Sequence, residues 1–217
     1  IPDNTAVLVV ASPRGALLEG EIKLIDDYVK QGGNLLWLAD PDNAPGLAAV
    51  ADTLGIVWQD GYAVFPEYEL LGTGHPGIFA ALDYPPGPVT QGMDQVTLFP
   101  LVRSLVAKPG SGWNAQPMLS SSKEAWLETQ AIGESGVSLD TQAGDVAGPL
   151  NIGMTLTREV ADNEAPAPAA PAAGDAPKPS ATKQQRVALV GDADFLSNAS
   201  LTQLGNQQLG LNILQWL

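Results

Sequence analysis

The side chains of this chain best suited to chemistry fall in three short segments, each directly following an apolar run. Ser12 and Arg14 follow Ala6–Ala11, Asp40 and Asp42 follow Asn34–Ala39, and Asp192, Asp194, Ser197 and Asn198 follow Arg186–Val190. If the runs are strands of one open α/β sheet, the segments converge beyond the strands' carboxyl ends, where such sheets hold ligands. Carboxylates gathered there could hold a hard cation or accept hydrogen bonds from sugar hydroxyls. Asp, Asn and Ser are also the residues that cap helices and close Asx-turns, and in that plainer role they need no ligand. The candidate ligand-binding set is therefore Ser12, Arg14, Asp40, Asp42, Asp192, Asp194 and Asn198, with no catalytic residue, metal or cofactor assigned.

Other chemistries lack their parts. The chain has no cysteine, which excludes thiolate nucleophiles, disulfides and thiolate-held metals. Its one histidine, His75, sits in the turn-rich Leu71–Pro76 without the oriented partner a general base requires. There is no G-x-S-x-G elbow, and neither a P-loop nor G-x-G-x-x-G follows the first apolar run, where Ser12-Pro13-Arg14-Gly15 stands instead. A divergent metal-dependent hydrolase built on the Asp cluster would have no evident second-shell support.

The elements that must position these residues are legible at both ends. Ala6–Ala11 and Asn34–Ala39 are continuous apolar runs, as in strands buried on both faces. Between them, Leu18, Ile22, Ile25 and Val29 share one face of a helix over Leu18–Gln31, stopped by Gly32-Gly33. A short helix over Leu47–Leu54 ends at Gly55. Residues 62–148 read as an irregular inserted region of short, partly antiparallel strands. Leu150–Thr157 alternates as a strand with one buried face, and a helix over Gly205–Leu217 turns Leu209, Ile213, Trp216 and Leu217 inward. Between them, 161–184 reads as a disordered loop: Ala161–Lys183 holds nine Ala and five Pro without apolar periodicity. The fold expected is one three-layer α/β domain over 1–217, Rossmann-like, with a mainly parallel sheet.

The net charge of −14, from 24 acidic and 10 basic side chains, disfavours nucleic acid and anionic lipid. No run of about 18 apolar residues is present. The start at Ile1 and the apolar close Leu209–Leu217 read as those of a piece of a longer protein. The five Trp and four Tyr are scattered, as for core and edge packing rather than a sugar platform.

Several segments together resemble the auxiliary family of ABC-type transport systems that includes the gliding-motility-associated protein of bacteroidetes. They are Glu21–Leu38, Asp40-Pro41, His75-Pro76, Phe99–Leu105, Arg186–Asn198 and the closing Asn206–Leu217, the Arg186–Asn198 segment being the most specific. The resemblance implies an extracytoplasmic domain between membrane anchors, at the periplasmic face of the inner membrane, partnered by ABC permease and ATPase subunits. It implies a fold similar to class I glutamine amidotransferases and to a domain of intraflagellar transport proteins, although the amidotransferase catalytic Cys has no counterpart here. The function expected is a non-catalytic binding or scaffolding module of an ABC export or gliding-related system. The alternative is a solute- or polysaccharide-binding domain using the crevice around Arg14, Asp40 and Asp192.

Overall fold

A computed structural model describes residues 1–41, 46–130, 138–161 and 181–217. Asp42 and most of the Ala/Pro-rich stretch, residues 162–180, lie outside the described residues.

The first two apolar runs form β1 (Val7–Ala11) and β2 (Asn34–Leu38), paired in parallel from Val7↔Asn34 to Ala11↔Leu38. The connection is α1 (Glu19–Lys30), one residue shorter at each end than its periodicity predicts, because Leu18 and Gln31 are its caps. Leu18 is exposed rather than turned inward, and its backbone N–H donates to the Glu21 carboxylate at 2.8 Å. Gly32 takes the expected left-handed stop at φ 94°. Helix α2 (Ala48–Leu54) ends at Gly55 with φ 62°. The buried Asp26 of α1 accepts a 2.6 Å hydrogen bond from the Thr53 hydroxyl of α2, fastening the two helices.

The principal sheet continues from β2 to β12 (Thr182–Val190), then β11 (Asn151–Ala161), then β8 (Asn114–Ser120). Here the expected fold is corrected. β12 runs parallel to β2, but β11 is antiparallel to β12 over nine register pairs, Gly153↔Val190 to Ala161↔Thr182, and β8 is antiparallel to β11. Three further sheets are small and antiparallel. β3 (Ile56–Trp58) pairs with β7 (Leu105–Ala107), and β5 (Ile78–Ala81) with β6 (Thr97–Pro100). β9 (Trp126–Glu128) lies between β4 (Tyr62–Val64) and β10 (Val146–Ala147). Two of the eight pairings among the described residues are parallel. The chain is therefore a mixed, mostly antiparallel α/β fold and not a Rossmann-like or amidotransferase-like sheet. The physical reason is that alternation and apolar runs report which faces a strand buries, while direction depends on how the chain returns to its neighbour. Ala161 and Thr182–Gln184, expected in the loop, are ladder residues.

Two cores flank the principal sheet. Under α1 and α2, Val29, Val50 and Leu54 pack on Leu35, Trp37, Val187 and Leu189. On the other face, Leu36, Leu38, Ala188 and Val190 meet the β5–β6 and β4–β9 pairs and α4 (Asn206–Trp216), the last through Leu209 and Ile213, while Ile56 of β3 and Leu105 of β7 join the first core. All four phenylalanines of the chain line up in this second core. Ring centroids are 4.9 Å apart for Phe65–Phe79, 5.6 Å for Phe79–Phe99 and 4.8 Å for Phe99–Phe195. Such offset pairs add to area burial, and the row ties the β5–β6 pair and the segment after β4 to the 3-10 turn Asp194–Leu196.

Candidate functional site

Because β1, β2 and β12 are mutually parallel, their carboxyl ends open on one edge, and three of the candidate residues meet there. The Ser12 backbone N–H donates to Leu38 O at 2.9 Å, holding Ser12 at φ 37° beside β2. Its hydroxyl accepts from the Asp40 N–H at 3.1 Å. The Asp40 carboxylate in turn accepts from the Ala193 N–H at 2.6 Å, which crosses from the loop after β2 to the loop after β12. Asp192, 1% exposed, accepts from the Asp194 N–H at 2.9 Å and the Phe195 N–H at 3.0 Å, so its carboxyl group is the cap that starts the 3-10 turn.

Asp194, Arg14 and Asn198 are exposed, and Arg14 and Asn198 make no hydrogen bond to the others among the described residues. Ser12, Asp40 and Asp192 thus come together as a chain of loop fasteners, while Arg14 and Asn198 do not join it. Among the described residues no group of three or more His, Asp or Glu side chains is arranged to hold a metal ion. His75 is exposed, and its Nδ1 accepts from the Gly77 N–H at 3.0 Å within its own turn.

Arg103, which was not among the candidates, reaches the same edge. Its backbone N–H donates to Gly191 O at 2.9 Å, and its buried guanidinium lies 5.6 Å from the Trp58 ring centroid. Nη2 donates to Gln59 O at 3.2 Å and to Asp60 at 3.4 Å. Burial draws the Arg103 pKa below its ordinary value, against the opposing charges of Asp60 and Asp40. The one signal in the sequence was a lone arginine inside the apolar Phe99–Leu105. Beside it, a cleft of about 430 Å³ between α2 and β3 is lined by Trp37, Leu47, Trp58 and Lys108 among others. Trp37 and Trp58 stand edge to face at 5.5 Å, and among the described residues their buried indole N–H groups have no hydrogen-bond partner.

The Asp192 carboxyl is pushed up to about 8: burial is the main cause and the charges of Asp40 and Asp194 add to it, while the two backbone N–H groups oppose it. A folded-state pKa above the unfolded value means that the native state keeps a proton the unfolded chain has lost. Asp192 therefore supports the fold fully below about pH 4, and that support is lost as pH rises toward 8. Asp26 and Asp145 act oppositely. Burial raises both, but hydrogen bonds from Lys30 and Thr53 to Asp26, and from Asp140 and Thr129 to Asp145, outweigh it and hold both pKa values below the carboxylate norm. Their support is present above about pH 4 and is lost as pH falls through their lowered values. Thermal unfolding followed by circular dichroism should show maximal stability near pH 4 to 5 and a decline toward pH 8. Asp192→Asn should flatten that decline while leaving the acid limb intact; an equally steep decline in the variant would contradict the assignment.

The architecture is one already seen elsewhere: the N-terminal domain of mmIFT52 superposes with a TM-score of 0.62, covering 99% of this chain and 77% of that chain at 14% identity. At that identity the likeness concerns the fold alone. No curated protein matches the chain. The family model for an "ABC-type uncharacterized transport system" matches residues 74–216, and the chain belongs to that family. It is an auxiliary component of an ABC transport system. The match includes Phe99–Leu105 and Arg186–Asn198, the segments that meet through Arg103 and Gly191, while Asp40-Pro41 and the α1 segment precede it.

Proposed function

We propose that this chain is a non-catalytic, extracytoplasmic binding or scaffolding module that supports the permease and ATPase subunits of its ABC transport system. The observation that carries the reading is the use made of the polar groups at the sheet edge. Ser12 and Asp40 each accept from a backbone N–H of another loop, 28 and 153 residues away in sequence, and Asp192 accepts from two backbone N–H groups of its own turn. Groups held in this way rigidify a surface but offer neither a nucleophile with its base nor a donor aimed at a developing charge. Family membership supplies the transport setting.

Affinity purification of the full-length protein from its native membrane tests the reading. Stoichiometric recovery of an ABC permease and ATPase, retained when the exposed Asp194 is changed to Ala, is the expected result. Repeated purification without either subunit would refute the scaffold role.

A further inference from the structure

We propose that the cleft between α2 and β3 binds a small organic carboxylate, with its apolar body against α2 and its carboxylate toward Trp37, Trp58 and Arg103. The inference stands on the lining of the cleft and does not rest on the transport reading.

Three distant segments build the lining. Trp37 comes from β2, Leu47 and Ala51 from the cap and body of α2, Trp58 from β3, and Arg103 and Lys108 from the two flanks of β7. On the helix side Ala48 and Ala51, three residues apart, share one face, and their small side chains keep the wall low. Leu47 and Ile56, 2% and 1% exposed, back the cleft with the core beneath α1 and α2. A volume of about 430 Å³ falls in the range of roughly 300 to 1,000 Å³ found for small-molecule sites.

The polar groups select the ligand. Among the described residues the buried indole N–H groups of Trp37 and Trp58 have no hydrogen-bond partner, and both residues line this one cleft. Folded proteins seldom leave buried donors unpaired, because each forfeits the hydrogen bond it made to water. In an edge-to-face pair only one ring turns its edge to the other, so the pair itself can engage at most one of the two N–H groups. Indole and guanidinium nitrogens donate and do not accept, so their complement is an acceptor.

Charge narrows that acceptor to an anion. The chain is acidic overall, yet the ionisable groups lining the cleft are Arg103 and Lys108 against Asp52. Lys108 Nζ donates to Asp52 at 2.7 Å on the exposed rim, which leaves the guanidinium as the charge within. Arg103 is 6% exposed, whereas Asp60, its ion-pair partner at 3.4 Å, is fully exposed, so water weakens that attraction. A carboxylate matches the planar fork of a guanidinium, and the apolar walls favour one carried on a hydrocarbon body.

Isothermal titration calorimetry of the whole chain with 3-phenylpropionate and octanoate, each beside its neutral amide, tests the site. At least one acid should bind with a Kd below about 1 mM, and its amide at least about tenfold more weakly. Acetate and inorganic phosphate, which lack the apolar body, should bind at least about tenfold more weakly than that acid. Trp37→Phe combined with Trp58→Phe keeps two aromatic rings and removes both donors. Affinity for the acid should fall about tenfold or more, with the melting temperature unchanged or raised. A purely structural pair would move the melting temperature and leave affinity alone. Arg103→Gln should abolish the preference for acid over amide. Should it fail to fold, Ala51→Leu serves in its place: it narrows the cleft from α2 and should weaken acid and amide alike about tenfold. Leu70→Ser, on the exposed α3 (Tyr68–Leu71) and outside the cleft, should leave binding unchanged. Failure of both acids to bind, equal binding of acid and amide, or affinity indifferent to loss of the two indole N–H groups would overturn the proposal.

Discussion

Asn206→Ala should lower the unfolding free energy by about 4 kcal/mol, a large share of the 5 to 15 kcal/mol typical of a folded domain. Asn206 opens α4 and is 0% exposed. Its Oδ1 accepts from the Leu98 N–H at 2.9 Å. Its Nδ2 is shared among Leu98 O at 3.0 Å, Phe195 O at 3.2 Å and Ser200 O at 3.1 Å. One amide therefore satisfies backbone groups of β6, of the 3-10 turn and of the segment leading into α4. Alanine leaves the Leu98 N–H and up to two carbonyls, those of Leu98 and Phe195, without partners in a site water does not reach, while Ser200 O keeps the Gln203 N–H, and each such group costs about 1 to 3 kcal/mol, less than additively. Asn206→Asp separates this from simple loss of volume. The carboxylate still accepts from Leu98 N–H but faces three carbonyl oxygens with no donor, so it should be at least as destabilising at neutral pH. Urea unfolding is the measurement: the midpoint should fall with little change in slope. A loss under about 1 kcal/mol would mean that this amide does not organise the junction.

Gly191→Ala should be of similar severity for a different reason. An added Cβ would lie 1.9 Å from Arg103 O and 3.3 Å from Ile152 O, both of them backbone atoms that no side-chain rotation can move aside. The same residue donates to Ile152 O at 2.8 Å and accepts from the Arg103 N–H at 2.9 Å. The strand end and the Arg103 segment must then separate, breaking the contact that delivers the guanidinium to Trp58. A loss of about 3 kcal/mol or more is expected, with a red-shifted tryptophan emission as the ring becomes wetter. Gly20→Ala is the control. That glycine lies within α1 with nothing inside 4 Å of an added Cβ, and alanine there should raise stability by up to about 1 kcal/mol. Equal effects at the two positions would show that the close approach at Gly191 is not needed.

The helices could be read in advance because their information is local. Ile22, Ile25 and Val29 recur at helical spacing before Gly32, and Leu209 and Ile213 are one turn apart in α4. Leu18 broke the pattern because a cap residue leaves the helical path before its side chain can reach the core. The sheet was harder. Leu150–Thr157 announced a strand through its alternation, but the identity of its neighbours, β12 and β8, depends on residues 29 to 43 positions away.

For the site, residue type placed Ser12, Asp40 and Asp192 at the strand ends without distinguishing a ligand from a fastener. That choice lay with backbone N–H groups of Ala193, Asp194 and Phe195, whose directions follow from the turn. Arg103 escaped notice because a single arginine in an apolar run has no periodic partner; it becomes part of the edge only when Gly191 lets two backbones meet.

The sequence alone determined composition and local order: a strongly acidic surface, no thiol chemistry, two amphipathic helices, apolar strands and segments resembling a transport-associated family. These depend on residue type and short-range spacing, which the chain carries explicitly. The tertiary structure alone decided that most strand pairs run antiparallel, that Asp192 is buried against the N–H groups of the 3-10 turn with a displaced pKa, and that Arg103 reaches the sheet edge through Gly191. Each of these depends on the meeting of segments distant in sequence, where the direction of the returning chain and the burial of a polar group are set by neighbours that no local pattern names.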